Sequence, residues 1–291
     1  MREQICRRET QIVLSDAGER YRRSWLPPDP ARVMVLVHGY AEHTGRYDEM
    51  AMYFAERGFA VHAYDQAGHG RTPGPRGHVD RFDRLVEELD RFLEAVGFEH
   101  EGLPVTLVGH SMGGLVAVAT AIFRQPRISE LVLSGALLQL AGSQGGVRRS
   151  ISLVLARVLS RIAPRLAFPT GLDIEGLSRD PEVIRRYRED PLVEDRMSVR
   201  FAAGMSRMVA ALQGASGRLD RPVLVLHGAE DPICSRLGSQ RFHAGLSSGI
   251  GERSALQIYP ELRHEIFQEP EREQVWQDML DWIVSSSRAA P

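Results

Sequence analysis

Residues 105–118 read VTLVGHSMGGLVAV: an apolar run, a lone serine flanked by glycines, then a second apolar run rich in small residues. The first run has the near-continuous Val/Leu content of a strand buried on both faces of a parallel sheet. The second suits a helix packed closely on that sheet. Between them, Gly109, His110, Ser111, Met112 and Gly113 form a GxSxG sequence, which in this setting is the pattern of a nucleophile elbow. There the serine occupies a strained strand-to-helix turn, glycine on either side relieves crowding, and the hydroxyl projects above the sheet. Ser111 is the candidate nucleophile.

Working outward, the runs 33–39 (VMVLVHG), 59–65 (FAVHAYD), 131–135 (LVLSG) and 223–228 (VLVLHG) repeat the buried-strand pattern. Between two of them, Phe82, Leu85, Val86, Leu89, Phe92, Leu93 and Val96 recur at helical spacing, and Gly97 is placed to cap that helix. QIVLSD and YRRSWLP predict a short antiparallel lead-in at the sheet edge. A helix carrying Val275, Trp276, Met279, Leu280 and Ile283 on one face closes the chain after Pro270. The architecture expected is α/β, with a mostly parallel central sheet flanked by helices. From about Gly135 to Gly214 the alternation stops: there is no buried-strand run, and Pro164, Pro169, Pro181 and Pro191 punctuate helix-like and loop-like sequence. An insertion after a sheet strand, at the end where α/β folds bind ligands, is a lid candidate. The expected division is therefore a core of residues 1–135 and 215–291 with a helical lid of residues 136–214.

A serine hydroxyl needs a base, and the base needs a carboxylate to orient it; in this architecture they follow in the order Ser, Asp, His. VLVLHGAED ends a strand with Asp231 in the loop beyond, and ALQIYPELRHE ends another with His264 before the last helix. Glu230 adjoins Asp231 and reads as solvated. His62 and His227 fall in or beside strands, and His100 and His243 read as surface or packing residues. The developing oxyanion needs two backbone N–H donors. Met112, after the serine, supplies one, and Tyr40, in the HGYAEH loop leaving the first buried strand, supplies the other. No metal or organic cofactor is called for.

Composition excludes other classes. At 43% hydrophobic and 25% charged, the 291-residue chain can bury a large core, and a formal net charge of −2 gives no phosphate-neutralising surface, so nucleic acid is not an expected partner. Every basic residue except histidine is arginine, since the chain has no lysine; it also has no asparagine. Cys6 and Cys234 are too few and too far apart for a disulfide framework and read as reduced thiols. The charged N-terminus lacks an apolar stretch behind it, and no apolar run approaches the roughly 20 residues that span a bilayer. The expected location is cytoplasmic. The loop GHGRTPGPRGH has glycines but neither a P-loop ending nor a dinucleotide fingerprint.

Taken together, HGYAEHTGRY, DQAGHGRTPGPRGHV, GHSMGG, DPLV, LHGAEDPIC and RHEIF, in this order over nearly the whole chain, resemble the monoacylglycerol lipases of the α/β-hydrolase superfamily. Lysophospholipases of the same branch share most of these motifs. The resemblance implies a lipid ester substrate, Ser111, Asp231 and His264 as triad, and Tyr40 and Met112 as oxyanion donors. It also implies that Glu42, Arg46 and Tyr187 bind a glycerol head, although Glu42 and Arg46 are equally spaced to pair with each other and hold their loop. Some relatives carry a further histidine three positions after the catalytic one, where this chain has Phe267. Cys234 matches a near-site cysteine of some relatives and also reads as a buried inert thiol. The alternatives to a monoacylglycerol lipase are a lysophospholipase or broad carboxylesterase and, from another class, a silent hydrolase fold that only binds.

Residues 131–172 contain Arg148, Arg149, Arg157, Arg161 and Arg165 and no acid, while Leu155, Val158, Leu159 and Ile162 fall at helical spacing. One reading is an amphipathic helix lying in a membrane interface, giving peripheral contact through the lid. The other is a lid helix packed on the body with solvated arginines. The sequence does not set the oligomeric state.

Overall fold

The computed structural model describes residues 4–14, 18–141 and 159–288. Its strands are β1 (Cys6–Val13), β2 (Glu19–Leu26), β3 (Arg32–Val37), β4 (Phe59–Tyr64), β5 (Val105–His110), β6 (Glu130–Ser134), β7 (Ala167–Pro169), β8 (Arg196–Ser198), β9 (Val223–Gly228) and β10 (Ala255–Tyr259). The helices used below are α1 (Asp48–Ala55), α2 (Asp83–Glu99), α3 (Met112–Phe123), α4 (Pro181–Glu189), α5 (Val199–Leu212), α6 (Arg236–Ala244) and α7 (Arg272–Arg288).

Eight strands form one sheet in the order β1-β2-β4-β3-β5-β6-β9-β10. The run from β4 to β10 is parallel, while β2 pairs antiparallel with β4 and β1 antiparallel with β2. The lead-in hairpin is longer than QIVLSD suggests, because β1 begins at Cys6; most of its residues are exposed, so it carries no apolar signal. The central strands bury both faces. Val33, Val35 and Val37 of β3 join Leu85, Leu89 and Phe92 of α2 and Leu115 of α3, whereas Met34 and Leu36 join Phe54 of α1 and Trp276, Met279 and Ile283 of α7. Each fully buried side chain of this size contributes about 1.5–3 kcal/mol, and the two-sided demand explains why these strands read as unbroken apolar runs.

Gly97 does not cap its helix. α2 continues to Glu99 and ends on His100, whose N–H reaches Val96 O, and the glycine with positive φ is Gly102, at +82°. Arg22 grips both Glu99 oxygens at 2.6 Å, which holds the extra turn in place.

Between β6 and β9 lies a strand pair that no apolar run announces: β7, largely exposed, and β8, in which Met197 and Ser198 are buried, are three residues each and pair antiparallel. α4 begins with Pro181 after Asp180, whose carboxylate accepts the Glu182 N–H at 2.9 Å. α5 begins after Ser198, whose hydroxyl accepts the Phe201 N–H at 3.2 Å. Phe201 is fully buried in the same core layer as α2 and α3. The loop of residues 65–79 ties this region down, since Ser198 N donates to Gly77 O (3.0 Å) and Arg76 Nη2 to Leu192 O (2.6 Å). Leu155, Val158, Arg148, Arg149 and Arg157 lie outside the described residues. Residues 159–162 are helical, and Ile162 is 76% exposed. Among the described residues, no helix is long and apolar enough to cross a membrane.

Candidate active site

Ser111 sits between β5 and α3 with φ 51° and ψ −118°, a positive φ that a residue bearing a side chain rarely adopts. Its backbone is held on both sides: Ser111 N donates to Ser134 O at 2.9 Å, and Leu137 N donates to Ser111 O at 2.9 Å. The flanking glycines are required by approach. A β-carbon on Gly113 would stand 2.1 Å from Val37 O, and one on Gly109 would stand 2.6 Å from Gly113 O. α3 can therefore press its first turn onto β3 and β5 only without those side chains.

The loops after β9 and β10 bring the partners to the serine. His264 Nε2 lies 2.9 Å from Ser111 Oγ, and His264 Nδ1 lies 2.7 Å from Asp231 Oδ2. Ser111 and Asp231, 153 and 33 residues from His264 along the chain, thus form one hydrogen-bonded relay with it. Asp231 Oδ1 accepts the Ile233 and Cys234 N–H groups at 2.8 and 2.9 Å. Burial opposes its ionisation, but the His264 charge, then hydrogen bonds from His227 and His264, hold the carboxyl well below its usual range. Burial likewise opposes the charged form of His264; Asp231 overcomes it by charge and hydrogen bond, with help from Glu265 and Glu42, so the imidazole titrates above its ordinary value. Ionised Asp231 accepts the Nδ1 proton, leaving the Nε2 lone pair toward Ser111.

Met112 opens α3, so its N–H has no intrahelical acceptor and lies at the positive end of the helix. Gly39 passes against the serine: a β-carbon there would lie 3.0 Å from Ser111 Cβ. This brings the Gly39–Tyr40 peptide beside the candidate nucleophile. Among the described residues, no acceptor takes the Tyr40 N–H.

Glu42, Arg46 and Tyr187 also come together, and the Glu42–Arg46 pair that their spacing suggests is present with a closer third member. Arg46 gives Nη1 and Nη2 to the two oxygens of Glu265, at 2.5 and 2.7 Å, and Nη1 also reaches Glu42 Oε2 at 3.5 Å. The guanidinium lies 4.8 Å from the centre of the Tyr187 ring. Glu42 also accepts from Gly39 N and from Tyr47 OH (2.9 Å). Burial outweighs Arg46 and pushes the Glu42 carboxyl up to about 7.

Sequence reasoning passed over several residues that the structure brings in. Glu265 directly follows the candidate base. His110 stacks 4.8 Å from the His264 ring and is kept neutral chiefly by burial. His227 reaches Asp231. Phe267, singled out from the sequence in place of a relative's histidine, is buried beside His110. His100, half-buried, packs its ring 4.9 Å from that of His62 and sets its Nε2 2.8 Å from His62 Nε2. Cys234 is fully buried, and burial followed by the Asp231 charge pushes its thiol up, away from the reactive thiolate. Glu230 is exposed, as its reading as a solvated neighbour expects.

Among the described residues, two groups gather three metal-type ligand atoms within 4.8 Å. One, Asp231, Cys234 and His264, includes two members of the relay. In the other, His62, Glu99 and His100, Arg22 donates to His62 Nδ1 at 2.8 Å and to both Glu99 oxygens. The guanidinium occupies the acceptors a cation would use, so this set is an ion-pair cluster.

Comparisons with known proteins show the family. Residues 28–271 match the family model described as serine aminopeptidase, S33. The chain is 36% identical to the monoacylglycerol lipase of Mycolicibacterium smegmatis, covering 90% of this chain and 91% of that protein. It is 33% identical to the phospholipase YtpA of Bacillus subtilis, covering 87% and 95%. The crystal structure of the Paleococcus ferrophilus monoacylglycerol lipase superposes with a TM-score of 0.80 at 34% identity, covering 92% of this chain and 99% of that one. The chain belongs to the monoacylglycerol lipase family of the α/β-hydrolase superfamily, and it is a serine hydrolase of carboxylic esters.

Proposed function

We propose that the enzyme cleaves monoacylglycerols to fatty acid and glycerol through an acyl-enzyme. Ser111 Oγ attacks the ester carbonyl as His264 Nε2 takes its proton, and Asp231 holds the imidazole tautomer and stabilises the imidazolium. The Tyr40 and Met112 N–H groups receive the tetrahedral oxyanion. His264 then protonates the leaving alcohol and activates the water that releases the acid. The observation that carries this reading is the unbroken relay from Ser111 through His264 to Asp231, at 2.9 and 2.7 Å. The buried group of Glu42, Arg46 and Tyr187 is the proposed seat of the glycerol head.

Side-by-side hydrolysis of monoacyl-, diacyl- and triacylglycerols and lysophosphatidylcholine tests the substrate. Monoacylglycerol should be turned over fastest, and Ser111→Ala should lose both this activity and labelling by a fluorophosphonate. A second reading, lysophospholipase or broad carboxylesterase, is favoured by Phe267, a buried apolar residue where some relatives carry a histidine. Strong turnover of lysophospholipid with none of monoacylglycerol would replace the first reading with this one.

Residues 136–214 form the proposed lid. Its described part exposes Ile162, Leu166 and Phe168 at 76, 52 and 41%, alongside exposed Arg161 and Arg165. A cytoplasmic enzyme with such a surface would meet lipid at a membrane–water boundary. Binding to anionic vesicles should weaken with salt, and absence of binding at low ionic strength would remove the membrane role.

A further inference from the structure

We propose that His38 is a positioning residue for the oxyanion loop: its Nδ1–H, given to the Gly39 carbonyl, fixes the Gly39–Tyr40 peptide so that the Tyr40 N–H faces Ser111. The inference rests on the serine-hydrolase reading with Tyr40 as oxyanion donor.

His38 follows the last residue of β3 and is 1% exposed. Its Nε2 lies 2.9 Å from the backbone N of Gln66, which can only donate, so Nε2 accepts and the ring proton sits on Nδ1. Nδ1 lies 2.8 Å from Gly39 O and therefore donates to it. The chain has no cis peptide among its described residues. In a trans peptide the C=O and N–H point to opposite sides. Pinning the Gly39 carbonyl to the His38 ring thus turns the Tyr40 N–H away from that ring, and the groups packed against Gly39 are Glu42, which takes the Gly39 N–H, then Ser111 and His110.

The preceding peptide is locked too. Gln66 Nε2 donates to His38 O at 2.6 Å, and Gly39 N donates to Glu42 Oε1. Gln66, beyond the end of β4, therefore holds His38 by ring and by carbonyl. Left free, the Gly39–Tyr40 unit follows a glycine, the residue with the widest choice of backbone angles. An oxyanion donor acts by being aimed before charge develops, so a device that removes this freedom bears on the transition state more than on substrate binding. Burial pushes the His38 imidazole down to about 3, which keeps the ring neutral with a single donor across the working pH range.

The test compares two replacements that each keep half of the ring's hydrogen bonding. Asn places an N–H donor near the Nδ1 position, whereas Gln reaches toward Nε2 and lacks the donor to Gly39 O. Each variant is assayed for kcat, KM, affinity for a long-chain trifluoromethyl ketone that mimics the tetrahedral adduct, and thermal unfolding. His38→Gln should lower kcat by about 10- to 100-fold, below the full loss of an oxyanion donor, with ketone affinity falling in parallel and KM little changed. His38→Asn should recover most of both. Should His38→Gln fail to fold, His38→Ala against His38→Asn asks the same question. Equal losses in the donor-bearing and donor-less variants, or no loss in either, would overturn the inference. If the wild-type enzyme neither hydrolyses an ester nor binds the ketone, the serine-hydrolase reading fails instead.

Discussion

His227 Nε2 stands 3.1 Å from Asp231 Oδ2, the oxygen that also receives His264 Nδ1. Its other nitrogen lies 2.8 Å from Ser239 Oγ in α6, and Nε2 is also 3.0 Å from Cys234 O. The carboxylate is therefore oriented by donors on both oxygens. His227→Ala should lower kcat by about tenfold, the value of one charged hydrogen bond near 1.5 kcal/mol, and His227→Gln, which keeps a donor in reach, should restore part of it. Steady-state kinetics on a monoacylglycerol reads this; equal activity in all three proteins would assign His227 to packing alone.

Asp231 also sets an acid limit on stability. Its carboxyl is held below the ordinary value, so its ionised form favours the fold above about pH 4, and that contribution is lost as the pH falls. His227→Ala should narrow the gap between folded and unfolded values, and its stability should then depend less steeply on pH in the acid range. Denaturant unfolding at several pH values checks this.

Glu265 and Glu42 both add to the upward push on His264. Catalysis needs the neutral imidazole, so activity falls as the pH drops through the His264 pKa. Glu265→Gln removes a negative charge that favours the imidazolium, and the acid limb of kcat/KM should move to lower pH. A limb that stays put or moves up would contradict the assignment of that limb to His264.

Arg46 is the cation between two buried carboxylates, with side-chain exposures of 10, 4 and 5% for Arg46, Glu42 and Glu265. Arg46→Met leaves both acids without it, a loss of about 3–5 kcal/mol that should lower Tm by on the order of 10 °C. Arg46→Met combined with Glu265→Gln should recover part of the loss. Thermal unfolding of the three variants measures the coupling.

Gly113→Ala places a methyl 2.1 Å from Val37 O, a backbone atom that cannot turn aside. The helix must shift from the sheet, costing about 1–3 kcal/mol and displacing Ser111 at its N-terminus. Lower Tm together with lower kcat is the expected result.

The central strands and the relay order were legible because burial on both faces writes itself as Val/Leu runs and because the elbow demands glycine at fixed places. Gly97 misled, since a glycine can lie inside a helix whose neighbours Val96 and Glu99 are held by core and ion pair. β7 and β8 carry no apolar signal, being only three residues long and fixed by backbone bonds, β7 to β8 and Ser198 of β8 to Gly77. The partner of Arg46 was hidden for a different reason: Glu265 lies 219 residues away, and charge spacing reports only neighbours along one element. His227 looked like an ordinary strand residue and His38 like one more member of the HGYAEH loop, because what distinguishes them is which nitrogen faces which atom, and composition does not encode that.

Tyr40 carries its proposed oxyanion N–H on a residue whose hydroxyl donates to Arg196 O, in β8, at 2.6 Å. An engineer who exchanged residues 136–214 for the corresponding segment of a relative would therefore be altering more than substrate range. The graft would have to bring a carbonyl to the same spot, or it would leave the Tyr40 hydroxyl without its acceptor and loosen the very turn that the chimaera needs intact.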